Sequence, residues 1–343
     1  MTGPTPEPRR LNLNESPFPP APEIVAAVAE AALGLNRYPT EEGALMEALG
    51  AYAGVAPERI VPSDGSNELL HLMPLISGAK NAGDHVVIPE CSFPTYMKVA
   101  GFYGLSVSRV PLDAGGAVDV LAMLAAIRPD TRMICVPSPN NPTGGMLNGA
   151  LVEALVAGLP KHVMLHFDEA YYEFGRAAGG PETLPHLERL RGSWIATRSF
   201  SKAFGLAGIR LGYGIAPTAQ AAARWRALRP NFTVGRVAIA GGIAAVRAAQ
   251  AARDTIDMIT AERAYLAAGL RGLGLGPLPS AANFLSIPAA GLGAAPVERM
   301  ARAGLVVGGF ELAGAPFLRI TIGRREDSEA VLGALAAMRG AVA

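Results

Sequence analysis

The middle of this 343-residue chain repeats one alternation, and that alternation is its strongest constraint on a fold. Short apolar runs at His85-Val86-Val87-Ile88, Arg132-Met133-Ile134-Cys135-Val136, His162-Val163-Met164-Leu165-His166-Phe167 and Trp194-Ile195-Ala196-Thr197 are each bounded by Pro, Gly, Asp or Ser. Between them lie helical patterns such as Leu147 to Ala157. Runs apolar on both faces and separated by helices predict a mainly parallel sheet covered on both sides, hence an α/β fold. Ligands of such sheets bind beyond the carboxyl ends of the strands, and polar clusters follow several of these runs directly.

After about residue 235 the pattern changes. Two Ala-rich helical stretches lead to short strands at Phe284 to Ile287 and Phe317 to Ile322, then to a closing helix from about Glu326. This predicts a smaller α+β domain over residues 236–343. Residues 37–235 form the large domain in this reading. Residues 1–36 form an arm and a helix opened by Pro22 that packs with the small domain. Two domains also suit the length.

With 50% hydrophobic and 17% charged residues, the chain has the balance of a well-buried enzyme. The formal net charge of +1 and the lack of like-charge runs argue against nucleic-acid or acidic-membrane partners. The N-terminus carries no secretory stretch, and Val237 to Val246 is too short to span a bilayer. Cys91 and Cys135 offer neither a disulfide framework nor a metal spacing, and read as buried thiols in a reducing cytosol, so a cytoplasmic location is expected. His162 and His166 lack a third ligand and read as histidines of the sheet rather than a metal pair.

Lysine is scarce. Of 30 basic residues only Lys80, Lys98, Lys161 and Lys202 are lysines. Arginine cannot condense with an aldehyde, so each lysine is worth a question. Lys80 falls in a turn, Lys98 on a helix and Lys161 before a strand. Lys202 stands out, within Ser199-Phe200-Ser201-Lys202 and ahead of a Gly-rich turn ending at Arg210. Hydroxyls and a guanidinium around one amine suit a phosphorylated ligand that also carries an aldehyde.

Three further segments carry polar groups at strand or helix ends. Phe167-Asp168-Glu169-Ala170-Tyr171 runs an apolar strand into an acid, which needs a cation or donor such as a pyridinium nitrogen. Pro137-Ser138-Pro139-Asn140-Asn141-Pro142-Thr143-Gly144 makes a rigid turn whose asparagine amide suits a phenolic oxygen. Asp64-Gly65-Ser66-Asn67-Glu68 precedes the helical run Leu69 to Ile76, and a helix start is a natural phosphate site.

Taken in order and spacing, these segments resemble the fold-type I pyridoxal-phosphate (PLP) aminotransferases, most closely the histidinol-phosphate aminotransferase branch. The resemblance runs from Leu11-Asn12-Leu13-Asn14-Glu15 to Leu318-Arg319-Ile320-Thr321-Ile322-Gly323. It implies a large domain built on a seven-stranded-type sheet, pyridoxal 5′-phosphate as cofactor, and a homodimer with a shared active site. Lys202 is implied to hold the cofactor as a Schiff base and then to move the proton. Asp168 is implied to bind the pyridine nitrogen, Asn141 and Tyr171 the phenolic oxygen, and Phe93 to stack on the ring. The phosphate falls to Ser66, Asn67, Ser199, Ser201 and Arg210, with Tyr38 reaching the site of the neighbouring subunit. Arg319 is implied to take the acidic group of the substrate.

The reaction expected is transfer of an amino group between an amino acid, or an amine such as histidinol phosphate, and a 2-oxo acid such as 2-oxoglutarate. A decarboxylase of the threonine-phosphate type is the alternative, since Pro279-Ser280-Ala281-Ala282-Asn283-Phe284 has some of that group's flavour. A ligand-sensing regulator is disfavoured, because no basic helix-turn-helix segment is present. One position departs from the histidinol-phosphate group. Gly308, in Leu305-Val306-Val307-Gly308-Gly309-Phe310, stands where that group carries a second arginine. A phosphate carries nearly two charges and a carboxylate one, so the loss points toward an ordinary or aromatic amino acid as substrate.

Overall fold

The computed structural model describes residues 7–79 and 81–340. Lys80 lies outside the described residues.

The strands are β1 (Arg9–Leu11), β2 (Ile60–Ser63), β3 (His85–Pro89), β4 (Ser106–Val110), β5 (Thr131–Pro137), β6 (Met164–Glu169), β7 (Trp194–Ser199), β8 (Gly212–Ile215), β9 (Phe284–Pro288), β10 (Leu305–Leu312) and β11 (Ala315–Thr321). Seven of them form one sheet in the order β2-β8-β7-β6-β5-β3-β4. Only β8 runs against its neighbours, pairing antiparallel with both β7 and β2. The predicted apolar runs are its centre, and each is longer at the carboxyl end than the sequence pattern indicated. β6 starts two residues later than expected, because His162 lies in an exposed turn; only His166 belongs to the strand.

Alternation along these strands divides the interior into two cores. Val87, Ile134, Val136, Leu165, Phe167, Trp194 and Ala196 belong to one apolar cluster. Val86, Ile88, Met133, Cys135, Met164 and Ile195 belong to the other. Each core is closed by helices, which is why these strands tolerate no polar face. The helices begin where the sequence supplies caps. Asn148 accepts from the Leu151 N–H at 2.9 Å to start Gly149–Gly158, and Thr218 accepts from Ala221 to start Ala219–Leu228. Pro22 opens Pro22–Ala32.

The second sheet has four strands in the order β1-β10-β11-β9. β1 pairs parallel with β10, so the N-terminal arm is part of this sheet. The helices Arg236–Arg247 and Ala249–Gly272 precede it, and Arg325–Gly340 closes the described chain.

Of the two cysteines, Cys135 is buried as expected. Cys91 is not: it follows β3 at the rim, partly exposed, with its Sγ 3.3 Å from the Glu311 carbonyl. No helix among the described residues is long and apolar enough to cross a membrane, and no metal-binding cluster is found among them.

Candidate active site

A cavity of about 470 Å³ opens at the carboxyl ends of β5, β6 and β7. Its floor is the face of the sheet that carries Met164, His166 and Asp168 on β6. Asp168 is 8% exposed and its carboxylate is fixed at both oxygens. Oδ1 accepts from the Ala170 N–H at 3.0 Å, and Oδ2 accepts from the Tyr96 hydroxyl at 2.7 Å.

Lys202 sits in the loop after β7. Its Nζ donates to the carbonyls of Leu13 and Asn14, at 3.1 and 3.0 Å, so the N-terminal arm lies over the amine. Burial pulls its pKa down to about 8, with Arg319 and Arg210 acting in the same direction. Near neutral pH an amine so placed is partly unprotonated and nucleophilic.

At one side of the cavity several donors converge. The helix Ser66–Ser77 begins there with no side-chain cap, leaving its first N–H groups open. Arg210 lies alongside in a left-handed conformation, φ 54°, and donates to Ser201 Oγ at 3.3 Å and to the Ala207 carbonyl at 2.9 Å. Two glycines make the approach possible. A Cβ on Gly65 would lie 2.3 Å from the Arg210 Nη2, and one on Gly212 would lie 2.3 Å from the Ser66 nitrogen. Ser199, whose Oγ accepts from the Ser201 N–H, completes the group. Uncapped N–H groups, hydroxyls and a guanidinium at one spot form an anion cradle.

Tyr171 and Arg319 stand across the cavity. Tyr171 is buried, its hydroxyl accepts from Asn14 Nδ2 at 2.8 Å, and burial pushes its pKa up to about 12. Arg319, on β11, donates to Asn141 Oδ1 and to the Asn12 carbonyl, while its buried Nε has no partner among the described residues. Its direct antiparallel partner on β10 is Gly308. Phe93 lines the cavity, its ring edge-to-face with Tyr96 at 6.1 Å.

The chain matches the model of the family described as aminotransferase class I and II over residues 8–335. It belongs to that family. Relatives similar to this aminotransferase include an aromatic amino acid aminotransferase of Rhodococcus jostii, 37% identical over 94% of this chain and 88% of its own. A histidinol-phosphate aminotransferase of Caulobacter vibrioides is 33% identical, over 96% and 85%. Among solved structures, histidinol-phosphate aminotransferase from Sinorhizobium meliloti in complex with pyridoxal-5′-phosphate superposes with a TM-score of 0.88 at 28% identity, covering 98% of this chain and 92% of that one. The protein is therefore a PLP-dependent aminotransferase of fold type I.

The residues present fit the cofactor of this aminotransferase. PLP brings a phosphate, an aldehyde and a basic ring nitrogen. The cradle supplies donors for an anion, Lys202 an amine of lowered pKa, and Asp168 a carboxylate without an ion pair among the described residues. The structure gathers Ser66, Asn67, Phe93, Asn141, Asp168, Tyr171, Ser199, Ser201, Lys202, Arg210 and Arg319 around one cavity. Tyr38 is elsewhere: it is 74% exposed, outside the cavity, and stacked on Phe232 with centroids 4.5 Å apart.

Three contacts were beyond sequence reasoning. Tyr96 reaches Asp168, Asn14 reaches Tyr171, and Asn283 Nδ2 donates to the Asn14 carbonyl at 3.0 Å.

Proposed function

We propose that this aminotransferase acts on an amino acid bearing a free carboxylate, ordinary or aromatic, with a 2-oxo acid such as 2-oxoglutarate as acceptor. The observation that carries this reading is the pairing of Arg319 with Gly308. The place a Cβ would take on Gly308 is 3.5 Å from the Arg319 guanidinium, so a side chain there would stand beside it. Glycine places no second cation beside Arg319 from the facing position of β10. A single planar guanidinium suits a carboxylate by its two-oxygen fork, whereas a phosphate ester carries close to two charges. The aromatic amino acid relatives support the same choice.

When bound, PLP supplies an aldehyde for the amino group and a ring that withdraws electrons from the substrate Cα. The protein's part falls to a few side chains. Lys202 Nζ would hold the cofactor at rest and, once freed, would serve as the base for the substrate's Cα proton. Its lowered pKa keeps the freed amine competent as a base near neutral pH. Asp168 holds the pyridine nitrogen in its protonated form, because a paired carboxylate favours the charged state. Asn141 and Tyr171 bind the phenolic oxygen, and Phe93 packs on the ring. The Ser66–Asn67 helix start, Ser199, Ser201 and Arg210 bind the phosphate.

In this reading the enzyme is a cytoplasmic homodimer in which Tyr38 reaches the phosphate site of the partner subunit. Residues 37–235 form the cofactor domain, 236–343 the small domain, and 1–36 the arm. Exposed Tyr38 and Phe232 suit a surface covered by a second copy. Transamination is favoured over decarboxylation by the family match and by the named relatives. The test is a steady-state comparison of phenylalanine, tyrosine and histidinol phosphate as amino donors to 2-oxoglutarate. A kcat/KM at least tenfold higher for an amino acid is expected; a strong preference for the phosphate ester overturns the substrate assignment.

A further inference from the structure

We propose that Tyr96 is a positioning residue for Asp168, setting the orientation of the carboxylate that meets the cofactor's ring nitrogen and sharing its charge. The inference rests on the assignment of Asp168 to that nitrogen.

The geometry is specific. A carboxylate on a short side chain swings about its terminal bond unless both oxygens are held. Here Oδ1 is held by the Ala170 N–H and Oδ2 by the Tyr96 hydroxyl. The backbone donor is two residues away in sequence, but Tyr96 comes from the helix Thr95–Phe102, 72 positions earlier. Removing it would leave one anchor and a rotatable group. Each oxygen keeps lone-pair capacity for a third partner, since an ionised carboxylate accepts about four bonds.

Tyr96 is 3% exposed, and its ring packs against the apolar cluster beneath the sheet and edge-to-face with Phe93 and His166. That packing fixes where the hydroxyl points. Burial and the Asp168 charge hold the phenol well above its ordinary pKa, so it stays a donor across the working pH range. The donated O–H takes up part of the carboxylate's negative charge, so the bond bears on how strongly Asp168 meets the ring nitrogen.

A core tyrosine that merely satisfies its hydroxyl would have the same burial and the same bond. The two roles separate in the holoenzyme. Tyr96→Phe keeps the ring and removes only the donor, and Val99→Ala perturbs the same helix and cluster without touching Asp168. The readouts are the visible absorbance of bound cofactor against pH, the PLP dissociation constant, and kcat with KM.

For Tyr96→Phe the titration midpoint of the band should move to higher pH by at least about half a unit. With that donor gone the carboxylate's charge is less shared and stabilises positive charge on the cofactor more strongly, which raises the midpoint. kcat should fall about 10- to 100-fold, the range of a hydrogen bond to a charged group, with KM within about threefold. Val99→Ala should leave the midpoint in place. Replacing Tyr96 by 3-fluorotyrosine, a stronger donor of nearly the same shape, should move the midpoint the other way, and this arm decides alone if the phenylalanine variant does not fold.

Unchanged midpoint and kcat in a folded, PLP-loaded Tyr96→Phe protein would overturn the proposal, as would a shift of the same sign with fluorotyrosine. Failure of the wild-type protein to bind PLP would instead overturn the assignment of Asp168.

Discussion

Asp168 and Glu169 are neighbours on β6, and strand alternation sends them to opposite faces of the sheet. On its face Glu169 meets Arg198 of β7 at 2.9 Å, with both side chains about 1–2% exposed. Tyr172 lies under the guanidinium at 3.3 Å, and Thr183 donates to the other carboxylate oxygen. That acid is neutralised internally and sealed. Asp168, one residue earlier, receives two neutral donors and opens on the cavity. A buried carboxylate held by dipoles alone retains its full charge for an incoming cation. The difference teaches how one strand end serves two ends at once, with one acid fixing the register of β6 against β7 and the next left for chemistry.

The largest test of this contrast is Asp168→Asn. The amide is nearly isosteric and keeps acceptor capacity, so thermal stability should change little, while kcat falls on the order of 10³-fold for want of a charged partner at the ring nitrogen. A melting curve beside steady-state kinetics separates the two, and a large loss of stability would blur the distinction drawn here. Glu169→Ala should do the opposite. It leaves the buried Arg198 with only the partly exposed Glu182, at 3.6 Å, as an ion partner among the described residues and should destabilise the fold by roughly 3 kcal/mol in denaturant titration, with kcat per folded, PLP-loaded molecule within a few-fold of wild type. Replacing both partners, Glu169→Leu with Arg198→Met, should recover most of that stability, because no unpaired charge remains.

A third expectation concerns Lys202. Its pKa of about 8 means that the unprotonated amine becomes about tenfold more abundant per pH unit below that value and levels off above it. The rate at which PLP-free protein captures PLP, followed by absorbance, should trace that curve; a rate that keeps rising about tenfold per unit from pH 8 to 10 would remove the lowered pKa from the account. The smallest effect belongs to Glu173, on the Glu169 side. Burial raises its pKa to about 7, and its Oε1 accepts from Tyr52 at 3.3 Å. A folded-state value above the ordinary 4.5 means that the folded protein binds the extra proton between about pH 4.5 and 7. This group's stabilisation is therefore full below that window and lost as pH rises through 7. Glu173→Gln should flatten that part of the stability profile by about 1 kcal/mol, measured by denaturation at pH 5 and pH 7.5.

Much of this arrangement was legible in the sequence, for a reason the sheet makes plain. β3, β5, β6 and β7 are buried on both faces, so their residues form unbroken apolar runs that end where the polar segments begin. The other strands of the large sheet carry no such signal. β2 contains Pro62, β4 reads Ser-Val-Ser-Arg-Val at an edge, and β8 is half glycine. The cavity's polar residues were readable because most of them end a strand, follow one or open a helix. Tyr96 and Asn14 were not, since their contacts with Asp168 and Tyr171 span 72 and 157 positions and depend on how helix and arm are docked.

Arg319 adds a consequence for how a substrate is read. Its guanidinium already serves Asn141 of the cavity wall and the Asn12 carbonyl of the arm. If Arg319 takes the substrate's acidic group as proposed, an arriving carboxylate makes an exchange, displacing acceptors that are already in place. Recognition by exchange is unforgiving: a ligand with one oxygen returns less than it removes, while a planar pair of oxygens restores both bonds. It also ties selectivity to the arm, because the surrendered Asn12 carbonyl belongs to the same segment whose Leu13 and Asn14 carbonyls hold the lysine amine. On the proposed roles of Arg319 and Lys202, discrimination at one end of the substrate and release of the base at the other would then be parts of a single rearrangement.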